Sequence, residues 1–300
     1  MIDLKEKIET LRRCRRAVIL AHNYVEGEVQ DIADFVGDSL ELSIKARDVQ
    51  APVIVFCGVR FMAETAKLLS PESIVLHPAP HAGCPMADMA DAAEVEAYRQ
   101  AHPDTEIVAY VNTTAATKAH VDICCTSANA EKVLNAIDPA RPVMFLPDQN
   151  LAANVSARLN RKVALWPGFC PTHNRVQPET IRRMRTEYPD ALLLVHPECT
   201  PSVVSLADQA LSTGGMLRYV RESDHRQFLI GTEHGILHRM KKENPDKEFI
   251  PVTPLMNCPN MKKITLENIA DALENLSPRI ELPSELAERA RRPIERMLAL

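Results

Sequence analysis

The sequence has no hydrophobic run close to the ~20 residues that cross a membrane as a helix. Its strongest apolar runs, residues 17–21 and 191–195, have only the length of β-strands. It also has no excess of basic residues, since 35 Lys and Arg stand against 40 Asp and Glu. The net charge of −5 argues against a general nucleic-acid binder, which needs a basic surface. We therefore expect neither a membrane nor a nucleic acid as partner.

The amino-terminal residues lack the apolar core of a signal peptide, because charged residues begin at Asp3. No low-complexity tract interrupts the 300 residues, of which 46% are hydrophobic and 25% charged. This composition is typical of a globular protein, and we expect the protein to be cytoplasmic. The length slightly exceeds what one hydrophobic core usually fills, so two or three compact units are expected.

The eight cysteines contain no C-x-x-C pair, which excludes a zinc ribbon and a thioredoxin-type motif. A reducing cytosol also disfavours disulfides. Three of the cysteines, Cys84, Cys170 and Cys258, each precede a proline and lie 86 and 88 residues apart. Proline fixes the loop that follows, which suits a metal ligand. One such cysteine alone indicates a small buried side chain, but three at even spacing indicate metal ligation.

Other features repeat at nearly the same interval. Three apolar runs that predict strands each end in a polar residue: His22, Asn112 and His196. A hydroxyl-bearing turn follows each of them and contains Ser39, Ser127 or Ser212. These serines are 88 and 85 residues apart. The sequence therefore predicts three similar units, although a chance spacing within one large α/β domain is the alternative.

Strand-like and helical stretches alternate after these markers, which predicts parallel sheets with helices on both faces. We expect three αβα units around a pseudo-threefold axis, covering residues 1–87, 88–173 and 174–262. Ligands bind at the carboxyl ends of strands in such sheets, so one Cys-Pro loop from each unit would meet at the centre.

The two ends of the sequence carry no candidate chemistry. Residues 3–16 predict a charged helix. Residues 263–300 predict further helices, broken at Pro278, Pro283 and Pro293, that pack on the three units.

Three thiolates from three loops favour a soft or borderline metal. Structural zinc prefers four ligands, and electron-transfer iron–sulfur clusters usually have four cysteines. A cluster held by only three cysteines leaves one iron open, and that iron can act as a Lewis acid on a substrate oxygen. Hydroxyl-bearing turns before helices hold carboxylates or phosphates through backbone N–H groups and the helix dipole. An anionic, oxygen-rich substrate is therefore expected.

Candidate acid–base groups lie close to these markers. His196 and Glu198 are two residues apart, so in an extended chain they share a face and could form an acid–base pair. His173 lies in the same loop as Cys170 and could reach the open iron or its ligand. Two tyrosines flank strand ends and either pack there or donate a hydrogen bond to a substrate: Tyr24 and Tyr110.

Longer motifs cover nearly the whole chain: AHNY at 21–24, VQDIADFVGDSL at 29–40, FMAETA at 61–66, AGCPMA at 82–87, YVN at 110–112, CCTSANA at 124–130, LPDQNL at 146–151, HPEC at 196–199 and GTE at 231–233. Together they resemble the quinolinate synthase family. The resemblance implies three αβα domains around a pseudo-threefold axis and one [4Fe-4S] cluster. It also implies a transferase that condenses iminoaspartate with dihydroxyacetone phosphate, losing phosphate and water. The product would be quinolinate, a precursor in NAD biosynthesis, and a functional link to an aspartate-oxidising enzyme would follow.

The resemblance also implies roles for individual residues, motif by motif. The cluster ligands would be Cys84, Cys170 and Cys258. Substrate contacts would come from His22, Ser39, Tyr110, Asn112, Ser127, His173, Ser212 and Thr213. Proton transfers would fall to Tyr24, His196 and Glu198. The stretch MNCPNM at 256–261 has one cysteine, where some family members carry a cysteine-rich motif. This chain is thus similar to a short form of the family.

Two other functions stay open on the residues alone. An iron–sulfur hydro-lyase would use the same open iron on a hydroxy-dicarboxylate. A non-enzymatic iron–sulfur sensor or electron carrier would need a fourth fixed ligand and a reversible redox change.

Overall fold

The computed structural model describes residues 3–300, and its strands form three four-stranded sheets in which every pair is parallel. The first sheet contains β1 (Ala17–His22), β2 (Phe35–Gly37), β3 (Val53–Cys57) and β4 (Ile74–Leu76). The second contains β5 (Glu106–Tyr110), β6 (Ile123–Cys125), β7 (Val143–Leu146) and β8 (Ala164–Leu165). The third contains β9 (Leu192–Val195), β10 (Gln209–Ala210), β11 (Gln227–Gly231) and β12 (Glu248–Pro251). Each sheet has its second strand at one edge, followed by its first, third and fourth.

Helices connect the strands and cover the sheets. Those that accompany the first sheet are α1 (Leu4–Arg15), α2 (Gly27–Ile32), α3 (Ser39–Asp48), α4 (Arg60–Leu69) and α5 (Pro85–Asp88). Those of the second are α6 (Ala92–Ala101), α7 (Ala115–Lys118), α8 (Ala130–Asn135) and α9 (Gln149–Leu159). Those of the third are α10 (Pro178–Glu187), α11 (Pro201–Val204), α12 (Thr213–Glu222) and α13 (Ile236–Glu243). The chain ends with α14 (Leu266–Asn275) and α15 (Ser284–Leu298). The predicted fold class, three parallel-sheet α/β units, is confirmed.

The central strands are apolar because helices cover both faces of each sheet. Every residue of β3, β5 and β7 is buried, which explains why their sequences are continuous apolar runs rather than alternating ones. The first two sheets share one continuous hydrophobic core with the carboxy-terminal helices. The third sheet has two hydrophobic clusters of its own, one on each face.

The same ion pair recurs in all three units. In each unit, the aspartate directly before the second strand accepts a hydrogen bond from an N–H of the first strand. It also pairs with an arginine of the helix that precedes that first strand: Asp34 with Ile19 and Arg12, Asp122 with Ile107 and Arg99, Asp208 with Leu193 and Arg185. The aspartates are 88 and 86 residues apart, and the arginines 87 and 86. This repeat signal is present in the sequence, but the markers chosen there did not include it.

The carboxy-terminal helices differ in one point from the prediction. Pro283 caps the start of α15 as expected, but Pro293 lies inside this helix and does not break it. Pro293 is buried on the same face as Ala290, Ile294 and Met297, so burial of this face outweighs the lost backbone hydrogen bond. Among residues 3–300, the helices are all too short or too polar to span a bilayer.

We expect Asp122→Ala to lower the free energy of unfolding by about 1–3 kcal/mol, because the Ile107 N–H and the Arg99 guanidinium lose their partner. Urea denaturation measures the change. Asp48→Ala is the control: this exposed carboxylate pairs with Arg47 on the surface, and its loss should leave the free energy of unfolding almost unchanged. Equal losses in the two variants would contradict a structural role for the repeated aspartate.

Candidate active site

A cavity of about 190 Å³ lies between the three sheets, beside the ends of their first strands. Each of these strands delivers a polar residue to its wall: His22 ends β1, Asn112 follows β5 and His196 follows β9. Parallel strands end at one edge of a sheet, which is why residues so far apart along the chain gather here. All the residues that the sequence singled out for the site line this cavity, with the exception of Ser212.

Ser212 instead caps a helix. Its hydroxyl accepts a hydrogen bond from the Gly215 N–H at 3.1 Å and lies 3.4 Å from Asp38 Oδ2. The next residue, Thr213, begins α12 and does line the cavity. Thr213 therefore occupies the position that the repeat suggested for Ser212.

Two helix N-termini from different units meet at the cavity. The carboxylate of Asp38 accepts hydrogen bonds from Leu40 N and Glu41 N of α3 and from Gly214 N of α12. Ser39 and Thr213, the first residues of these helices, both face the cavity. Helix N-termini carry partial positive charge, and Asp38 already takes up part of it here, so the hydroxyls of Ser39 and Thr213 are the groups left to contact an anionic ligand.

An unbroken chain of hydrogen bonds crosses the site. The Tyr24 hydroxyl lies 2.6 Å from Thr232 Oγ1, which lies 2.9 Å from His173 Nε2. His173 Nδ1 lies 2.7 Å from Glu198 Oε2, and the Tyr110 hydroxyl donates to Glu198 Oε1 at 2.5 Å. These five residues come from the ends of strands or from loops of all three sheets. The chain therefore connects the three units through one buried carboxylate.

The surroundings of Glu198 keep it ionised. Burial alone raises its pKa, but the neighbouring His196 and His173 and the hydrogen bonds from His173 and Tyr110 outweigh burial and hold the pKa well below its usual range. Burial raises the pKa of Tyr110 and of Tyr24, so both phenols stay protonated. An ionised carboxylate thus sits among protonated phenols, an arrangement suited to proton transfer.

The two strand-end histidines are neutral. Burial lowers the pKa of His22 and of His196 to about 3 each. The Nδ1 atom of His196 accepts a hydrogen bond from the Glu198 N–H at 3.2 Å, so its proton sits on Nε2, 3.1 Å from Ser127 Oγ. His22 Nδ1 likewise accepts from the Tyr24 N–H at 3.2 Å. Each imidazole is held in one tautomer by the backbone two residues on.

Buried carboxylates hold two of the three cysteine loops. The N–H of Cys170 donates to Asp148 Oδ2 at 3.2 Å, and that of Cys258 donates to Glu233 Oε1 at 3.1 Å. Lys262 Nζ lies 3.1 Å from Glu233 Oε1 and compensates the charge of this carboxylate. These contacts were not predicted, because a carboxylate distant in sequence gives no sign of which backbone amide it will meet.

The cysteine donors fit a metal group. Burial raises the pKa of Cys84 to about 12 and raises those of Cys170 and Cys258 as well, so these thiols lose their protons only when a cation binds. Three soft donors in one cavity suit iron or another thiophilic metal. Among residues 3–300, donor atoms that all lie within 4.8 Å of one another come from Cys170, His173 and Glu198, and the three cysteine sulfurs are not that close together.

The comparisons with known proteins agree with this geometry. A family model described as "Quinolinate synthetase A protein" (NadA) matches residues 6–299. The chain belongs to this family. A curated quinolinate synthase of Dehalococcoides mccartyi is 52% identical over 295 residues, which are 98% of this chain and 97% of that protein. Those of Desulforudis audaxviator and Geotalea uraniireducens are 51% and 49% identical over 298 residues, 99% of this chain and 98% of each relative.

The chain is therefore an enzyme, and the resemblance found in its sequence is confirmed. Family membership argues against the non-enzymatic sensor. The residue that the sequence missed is Thr232, which belongs to the GTE motif at 231–233 but received no role. Thr232 directly follows β11, and this position could have marked it as a candidate site residue, since three other strand ends already carried candidates.

We expect Thr232→Val to lower kcat by about 10²-fold, because the isosteric methyl breaks the contact between Tyr24 and His173. Steady-state quinolinate formation measures the loss. Thr186→Val on the exposed face of α10 is the matched control, since its hydroxyl only bonds its own helix at Arg182 O. If both variants kept the wild-type rate, the hydrogen-bonded chain would have no part in turnover.

Proposed function

We propose that this enzyme condenses iminoaspartate with dihydroxyacetone phosphate and releases phosphate and water to give quinolinate for NAD biosynthesis. The observation that carries the proposal is the shared cavity, to which each sheet brings a cysteine loop and a polar strand end. The two substrates carry two carboxylates and one phosphate, which match a wall made of helix N-termini and hydroxyl groups. We place this transferase in the cytoplasm.

The binding roles follow from the geometry of that wall. Ser39 and Thr213 begin α3 and α12, where their hydroxyls can donate to a carboxylate or the phosphate beside the partial positive charge of the helix ends that Asp38 caps. Ser127 is oriented by His196 and faces the same cavity. We assign substrate contacts to these and to the remaining candidates, His22, Tyr110, Asn112, His173 and, through the α12 cap, Ser212.

Cys84, Cys170 and Cys258 would hold a [4Fe-4S] cluster with one open iron. The proposed units, residues 1–87, 88–173 and 174–262, each supply one of these ligands, while residues 263–300 pack on the first two. When bound, the cluster supplies a Lewis acid beside the substrate oxygens. The half-buried cysteines and the hydroxyl-bearing wall line one cavity, so the cluster and the substrate would be neighbours.

The proton steps would use the hydrogen-bonded chain. Ionised Glu198 can accept a proton from a substrate carbon or nitrogen, and its contacts with Tyr110 and His173 give that proton a path along the chain. Protonated Tyr24, at the other end of the chain, can donate a proton to a leaving oxygen. Neutral His196 carries its proton on Nε2, on the side of Ser127, and can donate it to a substrate oxygen. Tyr110, His173, His196 and Glu198 are buried, which limits the access of bulk water to the reaction.

The amino substrate implies a supplier. An imine of this kind arises by oxidation of aspartate, and it hydrolyses readily in water. A functional link to an aspartate-oxidising enzyme is therefore part of the proposal.

We expect Cys170→Ser to abolish the brown colour and the bound iron of the anaerobically purified enzyme. Iron and sulfide analysis with the visible spectrum measures this. Cys199→Ser is the control, because Cys199 is fully buried away from the cavity wall, with its Sγ 3.7 Å from Gly231 O, and should leave the cluster intact. A normal cluster spectrum in Cys170→Ser would reject the ligand assignment.

We expect Glu198→Gln to keep the cluster and to lower turnover by about 10²–10⁴-fold, because the amide cannot accept the proton. Quinolinate formation is assayed for the variant and for the wild-type enzyme, together with simple dehydration of hydroxy-dicarboxylates. If the wild-type enzyme catalyses only dehydration, the hydro-lyase alternative is favoured. Glu179→Gln, an exposed glutamate on α10, is the control. Full activity in Glu198→Gln would remove this residue from the chemistry.

A further inference from the structure

A charged side chain lies buried behind the cavity wall and has no part in the chemistry proposed above. Lys118, the last residue of α7, is only 1% exposed. Burying an ammonium group is costly unless it is fully bonded. The groups that accept hydrogen bonds from this ammonium therefore indicate its role in the structure.

The ammonium of Lys118 donates hydrogen bonds to one short turn. Its Nζ donates to the carbonyl oxygen of Val111 at 2.7 Å and to that of Thr113. The Thr113 N–H also donates to the Val111 carbonyl at 2.8 Å, which makes a three-residue turn with Asn112 at its centre. Both carbonyls that flank Asn112 are thus fixed by the same charged group.

Asn112 is the residue that this turn presents to the cavity. Its Oδ1 atom is buried and has no hydrogen-bond partner among residues 3–300. A buried polar atom without a partner is costly, and a rotation of the amide about its last bond brings this oxygen to the cavity, where a ligand can satisfy it. The turn therefore holds an unsatisfied amide in place for a polar group of the substrate.

The surroundings keep Lys118 itself in place. Its Nζ lies 5.5 Å from the centroid of the Phe61 ring, another residue of the cavity wall. Buried Glu64 accepts a hydrogen bond from the Ala115 N–H at 2.9 Å, at the start of the same helix. Burial lowers the pKa of Lys118 to about 8 while nearby Cys124 and Glu64 oppose this, so the group is mostly charged at neutral pH.

We propose that Lys118 is a positioning residue for the substrate, acting through the 111–113 turn and the Asn112 amide. Orientation of a bound substrate depends on small displacements of the groups that hold it. The inference takes the identity of the substrate from the proposed function, but the contact between Lys118 and the turn does not depend on it.

The test uses the anaerobically purified holoenzyme with Lys118→Met, Asn112→Ala and the double variant. We expect kcat/KM for quinolinate formation to fall about 10–10²-fold in each single variant. The double variant should be no slower than Asn112→Ala, because Lys118 acts through Asn112. Calorimetric titration with quinolinate should show the same pattern in affinity. Lys118→Gln, which keeps N–H donors, should recover part of both losses.

Lys67→Met is the matched control. Lys67 also donates to two turn carbonyls, those of Pro71 and Ser73 at 2.7 and 2.9 Å, but it does not line the cavity. It should lower the thermal midpoint without changing kcat/KM. Wild-type kinetics in Lys118→Met, losses that multiply in the double variant, or failure of both Lys118 variants to fold would overturn the inference. A wild-type enzyme that makes no quinolinate would instead contradict the proposed function.

Discussion

The buried carboxylate of Glu198 is the contact on which the site depends. It accepts a hydrogen bond from Tyr110 and faces His173, and through His173 and Thr232 it is connected to Tyr24. A buried charge is tolerated only when its partners are in place, so the three sheets must be arranged correctly for this site to form. These contacts keep Glu198 ionised, while burial raises the pKa of both phenols and keeps them protonated, which is the charge distribution that proton transfer needs.

Repetition explains how a cavity of this kind is built. Each sheet ends its first strand with a polar residue, and parallel topology brings all these ends to one side. The repeated pairs of arginine and aspartate hold the first strand of each unit in place from the side opposite the cavity. The units then diverge in what they add, since the first and third bring helix N-termini and the second brings Ser127 and the turn held by Lys118.

Much of this was accessible from the sequence because strand periodicity and motif spacing are local. The three α/β units and the gathering of Cys84, Cys170 and Cys258 at one cavity follow from such patterns. The hydrogen-bond partners were not accessible, because Tyr110 meets Glu198 across 88 residues and Tyr24 meets Thr232 across 208. Packing also overrode local rules, as where Pro293 continues a helix whose buried face fits the second unit.

In the proposed mechanism, His173 and Glu198 transfer protons and the three cysteines alone hold the metal. A crystal structure of the anaerobically purified enzyme with bound quinolinate tests this most directly. We expect a cluster ligated by the three cysteines, carboxylates of the ligand at the N-termini of α3 or α12, and Glu198 still bonded to Tyr110 and His173. A single metal ion ligated by Cys170, His173 and Glu198, whose donor atoms lie within 4.8 Å of one another, would contradict it.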